Sequence, residues 1–585
     1  MKFNALRHVL LPLFVCFFVH CGQTFAQAPL EPSQMPPRTA FYLLWRGAPS
    51  PEAAKANALF SVWEDPDLAP TRAALLDKVF SDSEKKDPKT SLTREELQQY
   101  AALLENPFVL GYISEPEKHA EAAAISAPNG PGPKWTGTFF VYDRTGKEAL
   151  LSKAILRLRS QEKEAPQISQ IVIGDQPVLR VERKASTTYW VETGKFAVSA
   201  NERSVLEEIL PRLSAKTAAQ SSLAQTPAYK EAAPLLGGGL FEFFVRIPNL
   251  KELSSFDGTA KIPLLSILEA LHLDAVHSIC GHLTLEGAKT HVQAAVLGNA
   301  APGTLFDIWS DGDQAPASLS FAFSEVISYT DTQINLTGIY DVFKRSLRAV
   351  FPQGQQGNTN ILESAVQTRL GMSLPEALAL FSGEFSTLQT SPSMDTAKQV
   401  YFLGIRKKPE TLKLLRAAFG DQLTSERDEG GTTFLKVSLG GGESRAGVAQ
   451  WNFFNLAVTP DAILGSSRAQ TLHDLLAQHA QMPAAGGLAA SPTYQAARSK
   501  YPGKVSGMSF FNFQKVDWQA AKDRWIEEAK AAQAKAAKNS GKPSDTHSLD
   551  WLEQVNTEVF LRHLHTASGA SWKDAKGLHF EEWIE

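Results

Sequence analysis

The chain has 585 residues, 43% of them hydrophobic, 21% charged and 9% aromatic, with a formal net charge of -4. This length exceeds one domain of roughly 100 to 200 residues, and the composition is globular, which excludes a mini-protein, a fibrous repeat and a long disordered chain. The mildly acidic balance argues against non-specific nucleic-acid binding.

Residues 1–26 read as a secretory signal peptide. Lys2 and Arg7 precede the apolar run Val9 to Val19, and Thr24 and Ala26 are small where a peptidase cutting after Ala26 would read them. The run is well short of the roughly 20 residues that span a bilayer. A lipoprotein anchor at Cys21 would need a small residue before it, and His20 stands there. Residues 27–37 read as a polar linker. Removing the leader takes away Lys2 and Arg7, moving the net charge from -4 to -6, and leaves Cys280 as the lone cysteine, so no intrachain disulfide can form. No later stretch approaches about 18 uninterrupted apolar residues. The expected product is periplasmic or secreted, with no membrane span after signal removal.

The first half is placed at 38–300. Thr93-Arg-Glu-Glu96 has the form of a capping box that opens a helix. Strand-like runs follow at Gly137 to Tyr142, Ile168 to Ile173, Val178 to Arg183, Tyr189 to Ala200, Leu240 to Ile247, Ser278 to Glu286 and Thr290 to Leu297. Between them, Ala149 to Leu158 reads as helix, and Leu206, Ile209, Leu210 and Leu213 form a helical stripe. Residues 301–315, rich in turn formers, read as a linker.

The second half, 316–585, repeats the first. Ser373-Leu-Pro-Glu376 matches the earlier capping box, and Val400 to Gly404 leading into Thr411 to Phe419 matches Thr138 to Tyr142 leading into its helix. Phe196-Ala-Val-Ser199 pairs with Leu456-Ala-Val-Thr459. The stripe recurs at Leu472, Leu475, Leu476 and His479, and Leu223-Ala-Gln-Thr-Pro-Ala-Tyr229 returns as Leu488-Ala-Ala-Ser-Pro-Thr-Tyr494. An Ala/Lys-rich insertion at about 518–540 reads as a solvated helix. The expected fold class is α+β, with two duplicated halves, each a mainly antiparallel sheet with helices packed on one face.

The densest group of metal-competent side chains is His277, Cys280, His282 and His291. If Glu286 to Lys289 turns a hairpin, Thr284 faces His291. Cys280, His282, His291 and Gln293 then share one face, a set that zinc or copper would accept, while Ile279, Leu283, Leu285, Val292 and Val296 take the core face. The competing reading is an ordinary solvent-facing surface. The repeat has Ser568 and Ala570 in place of Cys280 and His282 and keeps only His579 in the place of His291, so no metal is assigned. In the Thr226 to Tyr229 and Ser491 to Tyr494 motifs, a capping hydroxyl, a first-turn proline and a packed tyrosine form a structural unit. The chain lacks G-x-S-x-G, H-E-x-x-H and the Walker phosphate loop. Ser83-Glu-Lys-Lys86 lies in a charged run and reads as a solvated loop, and the glycines at 237–239 and 440–442 read as turns. No catalytic, cofactor-binding or metal residue is assigned, and paired carboxylates that meet in space stay open.

The run Leu456 to Asp461, the helix after it, the Leu488 to Tyr494 motif and the terminal hairpin resemble an exported bacterial family of uncharacterised proteins, a domain of unknown function. The resemblance implies a tandem α+β exported protein and carries no site residues. The expected function is a non-enzymatic envelope protein that binds a partner or acts as a scaffold through the surface between its halves. A periplasmic carrier of an apolar ligand and an unrecognised hydrolase are the alternatives.

Overall fold

The computed structural model describes residues 30–86, 93–114, 137–160, 166–183, 186–213, 221–247, 273–301, 303–312, 315–350, 357–395, 398–438, 453–481, 486–540 and 550–585. The leader and the glycines at 440–442 lie outside them. Two compact units divide the chain: Met1–Lys261 with Val276–Gly298, and Ile262–Ala275 with Asn299–Glu585. Helices and antiparallel sheet make it an α+β protein. No helix among the described residues is long and apolar enough to cross a membrane.

The first unit contains β1 (Thr39–Trp45), β2 (Phe108–Ile113), β3 (Thr138–Asp143), β4 (Gln167–Ile173), β5 (Gln176–Arg183), β6 (Ser186–Thr193), β7 (Phe196–Ala200), β8 (Phe241–Arg246), β9 (Val276–Glu286) and β10 (Lys289–Gly298). Their antiparallel order is 4-5-6-7-3-2-1-8-9-10. The second unit contains β11 (Ser328–Gln333), β12 (Phe381–Gln389), β13 (Gln399–Ile405), β14 (Leu423–Glu429), β15 (Thr432–Ser438), β16 (Phe453–Val458), β17 (Ala462–Ser466), β18 (Gly507–Asn512), β19 (Thr566–Asp574) and β20 (Gly577–Ile584). Their order is 14-15-16-17-13-12-11-18-19-20, again all antiparallel. Read strand for strand, the two orders are the same.

This register corrects one sequence pairing. Phe196 to Ser199 lies on β7, whose place in the second order is taken by β17, Ala462–Ser466; Leu456 to Val458 lies on β16, one strand away. Leu456 is bonded opposite Leu435 and Gly465, as Trp190 is opposite Leu179 and Ser199. Two neighbouring strands that are both apolar on alternate residues look alike to a pattern of four residues, and only pairing separates them.

Helices cover both faces of each sheet rather than one. In the first unit, Val205, Leu206, Ile209 and Leu210 of helix Arg203–Leu213 pack with Val198 and Phe244, while Leu151 and Ile155 of helix Glu148–Ser160 pack on the opposite side with Ala197, Phe140 and Trp190. Alternate residues of β7 therefore enter different cores, which explains why Phe196, Ala197 and Val198 are apolar in succession. In the second unit Leu472 and Leu475 sit in one core with Leu464, and Leu412 in the other with Ile463 and Val458.

Both expected linkers belong to folded bodies. Leu30 and Met35 are buried in the first core, and the Met35 carbonyl accepts the Leu223 amide at 2.9 Å. Phe306 is buried and Trp309 bridges to Ile334. Ser83 to Lys86 ends the helix Ala69–Lys86 instead of forming a loop. The insertion forms helix Trp518–Ser540, and Ala521 and Ile526 are buried, so its first turns are packed rather than fully solvated.

A close approach fixes β2 against β3. A Cβ on Gly111 would fall 2.1 Å from Phe139 Cζ. At the same places in the second order, Leu388 stands opposite Val400, both buried, so the volume is shared differently between the two strands. Gly111→Leu alone is expected to cost about 3 kcal/mol or more through overpacking, and adding Phe139→Val is expected to recover most of it. Urea denaturation of the two variants checks this. A double variant no more stable than the single one would contradict the shared-volume account.

Candidate functional site

The hairpin of β9 and β10 has the expected register, with His291 opposite Thr284 and Gln293 opposite His282. Its facing is inverted. Cys280 is fully buried, His282 is buried, and both lie on the side of Phe244 and Tyr42, whereas Ile279, Leu283, Leu285, Val292 and Val296 are only half-buried. A free cysteine behaves as a small hydrophobe, so its face becomes core once β8 places Phe244 beside it. Burial pushes the Cys280 thiol up to about 12, far from a reactive thiolate. His282 Nδ1 lies 2.5 Å from the Leu235 carbonyl oxygen, and its ring meets His291 edge-to-face at 5.6 Å between centroids. His291 Nδ1 is 3.5 Å from Glu286 Oε1, and among the described residues no three His, Cys, Asp or Glu side chains gather as metal ligands.

The tyrosine motifs are built into the cores. The Thr226 hydroxyl accepts the Tyr229 amide, Pro227 opens the helix Pro227–Ala232, and the buried Tyr229 ring lies 6.5 Å from Tyr42 and 5.2 Å from Phe244. Tyr494 stands in the same relation to Tyr329 at 6.2 Å and Phe510 at 5.5 Å, but the expected cap is missing there: Ser491 makes no side-chain bond to the helix Pro492–Arg498. Burial raises the pKa of all four phenols above the ordinary tyrosine range, so none is primed to ionise.

Sequence reasoning missed the buried carboxylates. In the first unit Glu242, inside the run Leu240 to Val245, is bonded opposite Leu44 and His282 and is almost wholly buried. Arg46 donates to Glu242 Oε1 from Nη2 at 2.7 Å and from Nε at 3.2 Å. Burial raises the carboxyl's pKa, and the guanidinium opposes that rise. A lone acidic residue in an apolar run was the available signal.

In the second unit the same two strand positions hold Asp331 and Met508: the carboxylate has moved to the neighbouring strand. Asp331 is buried, and neither of its oxygens has a hydrogen-bond partner among the described residues. Burial pushes it up to about 7, against the pull of the nearby Tyr329 phenol. Next to it, Glu384 accepts the amides of Ser318 at 2.8 Å and Ala317 at 2.9 Å, and the Ser318 and Tyr329 hydroxyls meet at 2.9 Å.

The second unit also has an open cleft of about 320 Å³, lined among others by Asp307, Trp309, Asn335, Leu336, Arg406 and Lys573. Lys573 Nζ pairs with Asp311 Oδ1 at 2.8 Å and donates to the Trp309 carbonyl at 3.1 Å. Asp307 Oδ2 accepts the Gly303 amide at 2.6 Å. Arg406 is exposed, and its guanidinium has no hydrogen bond or ion pair among the described residues. Leu336 opens the helix Leu336–Val350, whose Gly338 amide donates to Asn335 Oδ1 at 3.1 Å and whose Ile339 amide donates to the Asn335 carbonyl at 2.9 Å.

No family model matches the chain, and no curated protein matches it. A solved structure, crystal form III of TP0453, aligns with a TM-score of 0.18 and 11% identity over 47% of this chain and 83% of its own, a likeness too low to carry an argument.

Two outcomes follow from the buried carboxylates. Arg46→Met strands Glu242 without its partner and is expected to cost about 3–5 kcal/mol, while Arg46→Met with Glu242→Met is expected to cost far less; chemical denaturation of both variants measures the difference. For Asp331, the folded-state pKa of about 7 lies above the unfolded value near 4. The folded chain therefore binds the extra proton between those values, and its stability falls as pH rises from about 4 to about 7, by on the order of 4 kcal/mol. Asp331→Asn is expected to remove that decline, and parallel wild-type and variant melts across this range would refute the assignment.

Proposed function

We propose that the chain is an exported, non-enzymatic binding protein formed from two fused copies of one α+β lobe, and that the second lobe takes a small ligand bearing a carboxylate or phosphate group beside Arg406. The duplication is supported by the common strand order and by the repeated pairing of Tyr229 and Tyr494 with the Tyr-Phe couples of their own units. Export is supported by the tripartite leader at 1–26. The non-catalytic reading is supported by the use of Cys280 and the tyrosine motifs as core packing.

The observation that carries the binding reading is the free guanidinium of Arg406 at an open cleft that also holds Lys573 and a helix start. Arginine presents a fork of donors suited to the two oxygens of a carboxylate or phosphate, and an unpaired one loses no existing ion pair on binding. Asp307 and Asp311 line the same cleft, so the ligand's remainder is expected to be neutral or cationic. Calorimetric titration of the whole chain with β-alanine and with phosphoethanolamine, each an anion with a cationic remainder, is expected to give saturable heat from at least one probe, weakened about tenfold by Arg406→Gln at unchanged melting temperature. No heat from either probe, or equal heat from the variant, overturns the reading.

A further inference from the structure

The two units finish the outer edge of their sheets in opposite ways. Strand β14 carries Glu426, Arg427, Asp428 and Glu429 in succession, and Arg416 pairs with Glu426 at 2.5 Å. Charges on an edge strand are how folded proteins prevent its unpaired backbone groups from recruiting another strand. Strand β4 takes the same place in the first order: Gln170 lies opposite Leu179 and then Trp190, as Glu426 lies opposite Leu435 and then Leu456. Yet β4 reads Gln-Ile-Ser-Gln-Ile-Val-Ile and contains no charge. Among the described residues it pairs only with β5, and it holds Ile168 at 51% and Val172 at 63% exposure.

We propose that β4 is a homodimerisation strand that pairs antiparallel with β4 of a second copy, about a twofold axis at Gln170. The strand is complementary to itself in that register. Ile168 comes opposite the second copy's Val172, and the reverse pair repeats on the other side of the axis, so both exposed aliphatic residues gain an aliphatic neighbour on the same face. The two Gln170 amides meet at the axis, where a primary amide can donate to and accept from its twin. No like charges are brought together. Pro166, without an N–H, bounds the ladder at one end, and the turn at Gly174 and Asp175 bounds it at the other. The contact is isologous and closes at two chains rather than growing a filament.

A single seven-residue ladder is small beside the roughly 800 Å² per partner of a standard interface, so association is expected in the micromolar range. Sedimentation velocity of the purified chain from roughly 1 to roughly 200 µM is expected to show a dimer that grows with concentration. Val172→Lys should weaken it at least about tenfold without changing the melting temperature, because Val172 is exposed in the single chain. Gln170→Cys should yield a disulfide-linked dimer under mild oxidation. Asp175→Cys should not, since antiparallel pairing about Gln170 already sets the two copies of residue 173 about 20 Å apart and residue 175 lies beyond them in the turn. A chain that stays monomeric throughout, a dimer indifferent to Val172→Lys, or equal cross-linking at 170 and 175 each overturns the proposal. So does a β4 found occupied by an extended segment of a different polypeptide.

Discussion

The pairing of β1 with β8 governs the first unit. It joins residues about two hundred positions apart, Tyr42 to Phe244 and Leu44 to Glu242, and links the strands that run from β4 to β1 with those from β8 to β10 at the loop-closure cost of a long intervening segment. Once formed, it supplies the two rings against which Tyr229 seats, sets Arg46 beside Glu242, and gives β9 a partner that turns Cys280 into the core. The β11 to β18 pairing does the same for Tyr329, Phe510 and Tyr494 in the second unit. Non-local strand pairing of this kind makes the aromatic motif a consequence of topology as much as of its own sequence.

What was legible in the sequence was local. The turn at Glu286 to Lys289 fixed the hairpin register, so Thr284 was correctly set opposite His291. The leucine stripes of the helices Arg203–Leu213 and Ala469–Gln481 gave their buried faces. Which face of the hairpin meets the core could not be read there, because it is settled by Phe244 and Tyr42 on strands that lie far away in the chain. The same cause displaced Leu456 by one strand: apolar alternation marks a strand and says nothing of its neighbours. Asp331 gave no signal, since Ser328 to Gln333 is a polar run whose burial comes from β12 and β18 on either side. Arg406 and Lys573 lie far apart in sequence, and only the fold sets both on one cleft.

The carboxylates show two ways of putting an acid inside a sheet core. At the pair of positions formed by Leu44 and Glu242, the acid comes from the second strand and a guanidinium from the end of the first reaches it. At Asp331 and Met508 the acid comes from the first strand, and Gln333 stands where Arg46 would be. Each pair contains one acid and one aliphatic or thioether side chain, so the volume is kept while the charge is handled differently. An acid without a cation in contact must either bind a proton or bear its desolvation cost, and a pKa near neutrality is what that balance produces. In the first arrangement the guanidinium opposes the rise that burial gives the carboxyl; in the second no cation in contact does so among the described residues.

This difference ties the stability of the second unit to pH in a way that the proposed export would expose. An acid buried beside the Tyr329, Ser318 and Glu384 network changes the charge of a core whose other groups are already satisfied by one another, so the cost of ionisation falls on the fold rather than on a solvated surface. In the first unit Arg46 remains partly in water while donating to Glu242, and its guanidinium offsets part of the desolvation that burial imposes on that carboxyl. Two units of the same strand order thus differ in the property that strand order does not determine: how a single buried charge is compensated. That compensation is decided by one side chain at the end of the first strand, Arg46 in one unit and Gln333 in the other.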